Sequence, residues 1–391
     1  MKAVPLWSDT VGNYSIPVAC SDNGSTVIAG SDSGLIKLYD GAGKNIWSYQ
    51  VAGGSVNAVS VSGDGGIVAA AVGTKNEGEL LVFDHGGNIL FASDANSTVN
   101  RVAVSENGRT IIFSDGSTLF AYDPAGKFLG KETSGGTIWD VAVSGDGGYG
   151  TAAIDLGWAE RKGKIVVFNR SSSRFLDYPT VNQGNTVGVS GDGSSVVGTD
   201  DYHLYSIFPN GTQRWNFFSS PPFRAVGVSS DGRYIAAGSQ YYLRFFNGSG
   251  SLLWQDQVAG YVTSVSASAA GDYVIEGSSD QIRLFDRSGN LLWYYDHGAS
   301  SVSATKDGRY YVAGSSGRIY FFDLPGMGTS QKDSNPQAGI TETRRLSPLP
   351  GKDNLTQVSS LPVSIIFFTL CFTGMIFILR KRRFRKLKNR K

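Results

Sequence analysis

The sequence predicts an all-β protein, a ring of eight β-propeller blades, and three observations carry that prediction. A short valine-rich strand ending in a tight turn recurs eight times along the chain. Glycine is abundant, 51 of 391 residues, as a fold built from many tight turns requires. No part of the repeat region carries a sustained 3.6-residue apolar period, so helices are not expected there.

The repeat is anchored on its turns, as in "VSVSGDG" ending at Gly65 or "VGVSSDG" ending at Gly232. The turn glycines are Gly24, Gly65, Gly108, Gly147, Gly193, Gly232, Gly271 and Gly308, spaced by 37 to 46 residues. That is the period of a four-stranded propeller blade. After the turn comes a second strand such as "YIAAGS" at 234–239, then a third such as "QIRLFD" at 281–286, a glycine turn, and a fourth beginning "LLW" at 291.

The first strand of each unit has a small face and a branched one. Two residues before the turn Ser or Thr stand Ala19, Ser60, Ala103, Ala142, Gly188, Gly227, Ser266 and Ser303. Three residues before it stands valine in all eight units, from Val18 to Val302. Sheets converging on a crowded axis need this division, because close approach demands small side chains and valine fills the space toward the next blade. The eighth unit reaches "RIYFFD" at 318–323 and stops at Leu324-Pro325 without an "LLW" strand, whereas the chain opens with "VPLW" at 4–7. Leu6 and Trp7 are therefore expected to complete the eighth blade and remove the free edge of an open array.

Charge and cysteines narrow the function classes. Nine Lys and Arg crowd positions 380–391, leaving about −7 on the preceding residues out of a net +2. An acidic body argues against nucleic acid as a partner. Cys20 and Cys371 fall in segments that do not meet, so no disulfide is expected.

The third-strand endings "IKLYD" at 36–40 and "IRLFD" at 282–286 resemble those of WD40 repeats, with Tyr39 and Phe285 replacing tryptophan and without the Gly-His pair. Asp40-x-x-Gly43-Lys44-x-x-Trp47 resembles the tryptophan-docking motif of eight-bladed quinoproteins, one residue shorter in the turn. Looser forms are Asn210-Gly211…Trp215, Asn247…Gly250…Trp254 and Asp286…Gly289…Trp293. Over residues 4–325 the chain thus resembles the WD40-like and PQQ-like β-propeller repeat families, in a form similar to membrane-anchored propellers of methanogenic archaea. The resemblance implies that Trp7, Trp47, Trp215, Trp254 and Trp293 dock on the neighbouring blade's turn as a structural girdle. Blades two, three and four have Phe91, Leu129 and Leu176 near that position, so a weaker girdle is expected there.

Quinoprotein likeness would also imply a calcium-bound quinone over the channel, an aspartate base and often a vicinal cysteine pair. This chain has no such pair, no long insertions between blades and less length than those enzymes. No cofactor, metal or catalytic residue is therefore expected, and a quinone-type propeller enzyme is the alternative. His85, His203 and His297 stand more than 90 residues apart and read as solvated or hydrogen-bonding side chains. The Asp-Gly turns lack calcium-loop spacing, the "GDGG" stretches lack the helix and Lys of a phosphate loop, and no serine sits in a nucleophile elbow.

A binding or scaffolding module remains, and two sets of residues depart from the repeat. Most units spend few residues between second and third strands, but the second spends "GTKNEGE" at 73–79 and the fourth "IDLGWAERKGK" at 154–164. Asp155, Trp158, Glu160, Arg161 and Lys162 give the latter the aromatic-plus-charge mixture of contact hot spots; a hairpin tip folded on its own blade is the alternative. Five residues before each turn Ser or Thr stand Ile16, Asn57, Asn100, Trp139, Asn185, Arg224, Thr263 and Ser300, expected to ring the channel mouth on the same face as those loops. Such a ring grips a small polar ligand or peptide, or is a hydrated plug.

The remaining chain reads as an anchor. Residues 326–360 are polar and proline-containing, a flexible stalk. Residues 361–379, "LPVSIIFFTLCFTGMIFIL", carry no charge and suffice to span a bilayer as a helix. The basic 380–391 tail is expected to stay cytoplasmic, placing the propeller outside. "MKAVPLWSDT" has no apolar signal region, so a signal upstream of this start is expected, with a tail-anchored cytosolic propeller as alternative. Seven N-x-S/T sequons, from Asn13 to Asn354, fit an exported surface.

Overall fold

The computed structural model describes residues 1–74, 77–95, 97–157 and 159–324. Trp158, the 326–360 stalk, the apolar 361–379 segment and the 380–391 tail lie outside the described residues.

Among the described residues thirty-two strands form eight four-stranded antiparallel sheets, each a blade. From inner to outer strand, blade one runs from Val18–Cys20 to Asn45–Gln50, blade two from Ser55–Val61 to Ile89–Ala95, and blade three from Arg101–Val104 to Phe128–Thr133. Blade four runs from Thr137–Val143 to Arg174–Thr180, blade five from Gly184–Val189 to Gln213–Phe218, and blade six from Phe223–Val228 to Leu252–Gln257. Blade seven runs from Val262–Ala267 to Leu291–Tyr295, and blade eight from Ser301–Ala304 to Arg318–Asp323 plus Trp7–Thr10.

The inner hairpin explains why the repeat spells Ser-x-Asp-Gly. In blade two the Ser62 hydroxyl donates to Asp64 Oδ1 at 2.6 Å and accepts the Ile67 N–H at 2.9 Å, while Asp64 Oδ1 also accepts the Gly66 N–H at 2.8 Å. Serine and aspartate thus satisfy a turn's backbone locally. The eight turn glycines all have φ between 66° and 74°, the left-handed region closed to most side chains. Ser62's hydroxyl, then the Gly66 N–H, hold the Asp64 carboxyl below its usual range.

The N-terminal segment closes the ring as the sequence predicts. Trp7 pairs with Phe321 and Thr10 with Arg318, and Asp9 accepts from Lys37 Nζ at 2.9 Å and the Tyr39 hydroxyl at 2.8 Å, pinning this strand to blade one. Upstream, the Ala3 N–H donates to the Tyr294 carbonyl at 2.7 Å and Lys2 bridges Tyr294 in parallel, so the same segment also straps blade seven.

The core is distributed over the seams between blades rather than gathered in one place. One cluster joins Ile28, Leu38 and Trp47 of blade one to Val56, Val59, Val68 and Phe83 of blade two, and similar clusters follow around the ring. Four indoles cross seams by hydrogen bonds: Trp7 Nε1 donates to the Gly41 carbonyl at 3.1 Å, Trp47 to His85 at 3.1 Å, Trp215 to Gly248 at 2.9 Å and Trp254 to Arg287 at 2.9 Å. Each ring lies flat on the next turn's glycine, so a β-carbon built at Gly43 or Gly250 would meet an indole at 2.7 Å. Trp293 is wholly buried against Phe322, its Nε1 without a partner among the described residues.

Blades two to four differ from one another. Phe91 takes the indole's place on Gly126. In blade three the residue opposite Ala121 is Gly130, not Leu129, since Gly130 stands seven residues after Asp123 as Trp47 stands seven after Asp40; Phe168 and Phe175 of blade four approach the space it leaves. In blade four Leu176 pairs with Val167 but is 45% exposed.

Candidate binding face and channel

Antiparallel blades give the ring two unlike faces. On one, the turn face, lie the turns after the inner and third strands. On the other, the open face, lie the second-to-third loops and the connections between blades.

On the turn face a ring of backbone hydrogen bonds encircles the axis and side chains reach across it. The residues following each turn Ser or Thr pass hydrogen bonds from blade to blade: Asp22 N–H to the Gly63 carbonyl, Gly63 to Glu106, Asn107 to Gly145, Asp146 to Gly191, Asp192 to Ser230, Ser230 to Ala269, Ala269 to Lys306, and Lys306 back to Asp22, all at 2.8–3.0 Å. Lys306 Nζ lies 2.5 Å from Glu106 Oε2 and 3.4 Å from Asp22 Oδ2, and Ser230 Oγ reaches Glu106 Oε1 at 3.5 Å. Glycines at 63 and 145 make room, since a β-carbon there would meet Asp22 or Glu106 side chains below 3.0 Å. Burial works to lower the Lys306 ammonium, but Glu106 and Asp22 outweigh it and hold it above its usual value.

Above this floor the channel wall is narrow and hydroxyl-lined. Ser60 Oγ accepts the Val104 N–H at 2.9 Å and Ser266 Oγ the Ala304 N–H at 3.1 Å, so small side chains satisfy inner-strand edges across seams. Cys20 Sγ meets Ser303 Oγ at 3.4 Å, and burial pushes its thiol up to about 12.

At the open face the channel widens to a cup of about 360 Å³. Bulges at the start of five inner strands set its lip: the register shifts at Asn57, Trp139, Asn185, Arg224 and Thr263, each an extra residue turned out of the ladder. These five and Ser300 line the cup, as expected from their place in the repeat. Two expectations need correction. Ile16 is fully buried, and Ser15 and Pro17 line the cup in its stead. Asn100 is not among the lining residues; its neighbour Arg101 is, with Nη1 donating to the Asn100 carbonyl at 3.0 Å. Asn57 is partly spent on structure, donating from Nδ2 to the Val99 carbonyl at 2.9 Å.

Arg101 and Asp140 are the site residues that the repeat reading missed. Arg101 Nε lies 3.7 Å from Asp140 Oδ1. Asp140 Oδ2 accepts from the Thr186 hydroxyl at 2.7 Å and the Val187 N–H at 3.1 Å, and Oδ1 from the Val141 N–H at 3.0 Å. Burial pushes this carboxyl up and Arg101 pulls against it. The signal was one place along the repeat: the fourth residue before the turn serine is small or neutral elsewhere and charged only at Arg101 and Asp140.

The long loop of blade four stands on the open face. Asp155 accepts the Gly157 N–H at 2.7 Å and Gln183 Nε2 at 3.1 Å, so it fastens the loop to the next connection. Glu160, Arg161 and Lys162 are exposed. Large exposed side chains gather on this face: Tyr14, Val181, Tyr202, Phe218, Tyr241 and Tyr261, with Trp139 at the lip, are 38–75% exposed. On the turn face Phe208 is capped by the Arg214 guanidinium at 4.0 Å, and exposed apolar side chains such as Phe128, Leu252 and Leu291 begin the outer strands just after the turns. Two depressions flank the cup, about 440 Å³ beside Arg224, Gln240 and Tyr261, and about 390 Å³ beside Tyr14, Tyr261 and Ser300.

The three histidines remain apart, in blades two, five and seven. Among the described residues no His, Cys, Asp and Glu cluster is placed to hold a metal ion, and no helix is long and apolar enough to cross a membrane.

Comparison with known proteins agrees with this architecture. Two crystal structures superpose over 83% of the chain with TM-scores of 0.67: the C-terminal WD40 domain of Sif2, 15% identical and 99% covered, and Sqt1 of Saccharomyces cerevisiae, 14% identical and 100% covered. Outer membrane protein assembly factor BamB of Nitrosomonas eutropha is 29% identical over 141 residues, 34% of this chain; the chain spans 30% of that relative's length. A repeat-family model described as outer membrane protein assembly factor BamB matches residues 5–157, so through blades one to three and the first two strands of blade four the chain is similar to the BamB-like repeat family, and in fold it is similar to WD40 propellers.

Proposed function

We propose that this propeller is a non-catalytic binding and scaffolding module that engages a protein partner through its open face. The observation that carries the reading is the asymmetry of the faces: on one, Lys306, Glu106 and Ser230 bond across the axis inside a closed backbone ring, and the other combines exposed Tyr and Trp with a charged cup. Tyr, Trp and Arg dominate binding energy at protein interfaces. The likeness to an assembly factor and to WD40 propellers supports a protein as partner. Asp155, Trp158, Glu160, Arg161 and Lys162 form the outer part of the proposed surface, and Asn57, Trp139 and Arg224 its centre, with Arg101 in the place expected of Asn100.

In the same proposal residues 4–325 are the propeller, 326–360 its stalk, 361–379 a single membrane span and 380–391 a cytoplasmic tail. The charge-free 361–379 stretch and the nine basic residues after it support anchoring with the propeller outside the cell.

A photo-crosslinking residue at Tyr241 tests the partner face, with Arg233 on the turn face as control. Adducts at Tyr241 alone support the reading, and equal labelling at both positions refutes it. Protease shaving of intact cells tests sidedness: stalk peptides cut at Arg344, Arg345 and Lys352 are expected in the supernatant, whereas release only after lysis moves the propeller to the cytosol.

A further inference from the structure

Resting on that reading, we infer that the cup receives a carboxylate side chain from an extended acidic peptide segment lying across the open face. The inference comes from counting which polar groups at the cup are already spent. Its carboxylate, Asp140, is bonded by Thr186, Val187 and Val141 and faced by Arg101. The Asn185 amide donates to Asp201 at 3.2 Å, the Asn57 amide to Val99, and the Thr263 hydroxyl to the Gly277 carbonyl at 2.8 Å. What is left unused is donor capacity. The exposed Arg224 guanidinium has no hydrogen bond or ion pair among the described residues, and neither has the half-exposed Trp139 indole N–H. Two guanidiniums against one satisfied carboxylate make the cup complementary to an anion.

The flanking depressions favour a peptide over a free small acid. The one beside Arg224 and Gln240 and the one beside Tyr14 both share Tyr261 and Thr263, and Thr263 also lines the cup. The three form one track with the cup as its deep point. The far depression offers the hydroxyls of Ser15, Ser315 and Ser316, none bonded among the described residues, to a passing backbone. The floor shuts the other end, so a side chain enters the cup and its main chain stays above it.

Positional-scanning peptide pools with one position fixed as Glu, Gln or Lys, titrated against the full-length protein by fluorescence anisotropy, test this. The Glu pool is expected to bind about tenfold more tightly than the Gln pool, the scale of one charge-assisted contact. That preference is expected to vanish in Arg224→Gln and to return in part in Arg224→Lys, with both variants melting as the parent does. Equal binding of Glu and Gln pools, no binding by any pool, or a preference that survives Arg224→Gln overturns the inference. If the preference is absent while Tyr241 still crosslinks to a partner in cells, the acidic-peptide inference falls and the partner face stands. If Tyr241 labels no more than Arg233, the partner face falls with it.

Discussion

From blade five through blade eight to blade two, every seam holds a tryptophan, and four of the five indoles bond the next blade's turn. From blade two to blade five none does: Phe91, Gly130 and the exposed Leu176 stand in those places. The ring closes all the same, through the backbone belt on the turn face and through pairs across the seams such as Phe91 and Tyr122, 5.7 Å apart. The unstitched arc also carries Arg101, Trp139, Asp140 and the long 154–164 loop. The repeat is thus kept where it serves only architecture and relaxed where side chains have been reassigned to the cup.

The sharpest way to break this comparison is to remove one stitch from each arc. Trp47→Ala is expected to cost about 3–5 kcal/mol as a buried aromatic truncation, and Leu176→Ala less than about 1 kcal/mol. Denaturant unfolding of the two variants reads the difference directly, and equal costs would show that the tryptophans do not hold their arc. A finer test compares two turn glycines of nearly equal φ, Gly250 at 89° and Gly211 at 83°. Gly211→Ala meets no atom within 4 Å and is expected to cost only the left-handed strain of about 1–2 kcal/mol. Gly250→Ala drives a β-carbon into Trp215 and is expected to cost more, seen as a larger drop in Tm.

Smaller still is the pH effect at the docking turn of blade seven. Burial works to raise the Asp286 carboxyl, but Asn290 and backbone N–H groups outweigh it and hold it below the usual range. A depressed carboxyl stabilises the fold above its unfolded pKa of about 3.9 and loses that contribution as pH falls through the folded value. Tm is therefore expected to fall below about pH 4, and slightly less steeply in Asp286→Asn, an exchange that the natural Asn247 of blade six shows the turn accepts. Least affected is Trp139→Ala, which at 50% exposure is expected to leave Tm nearly unchanged while weakening peptide binding.

The frame was legible because its demands repeat. A left-handed glycine, a turn Ser or Thr and a small residue on the inner strand recur eight times, and the missing eighth outer strand could be assigned to Trp7–Thr10 by subtraction. The site was only half legible. Residues on the bulges could be found by position, but the inner strand of blade three pairs without a bulge and turns Arg101 rather than Asn100 to the cup, and the residue seven after Asp123, where Trp47 stands after Asp40, is Gly130 and not Leu129. Burial hid Ile16, whose place in the repeat matches Asn57 while its apolar side chain turns into the core.

The closing strand also sets a timetable. Thr10 must find Arg318, 308 residues later, so at ~5–20 residues per second on the ribosome the clasp waits about 15–60 s for its partner. For that interval each completed blade offers its neighbour's face to solvent and the ring is an open arc. A chaperone that shields Trp7, or a pause that delays blade eight, would therefore act on yield without altering the finished protein's stability.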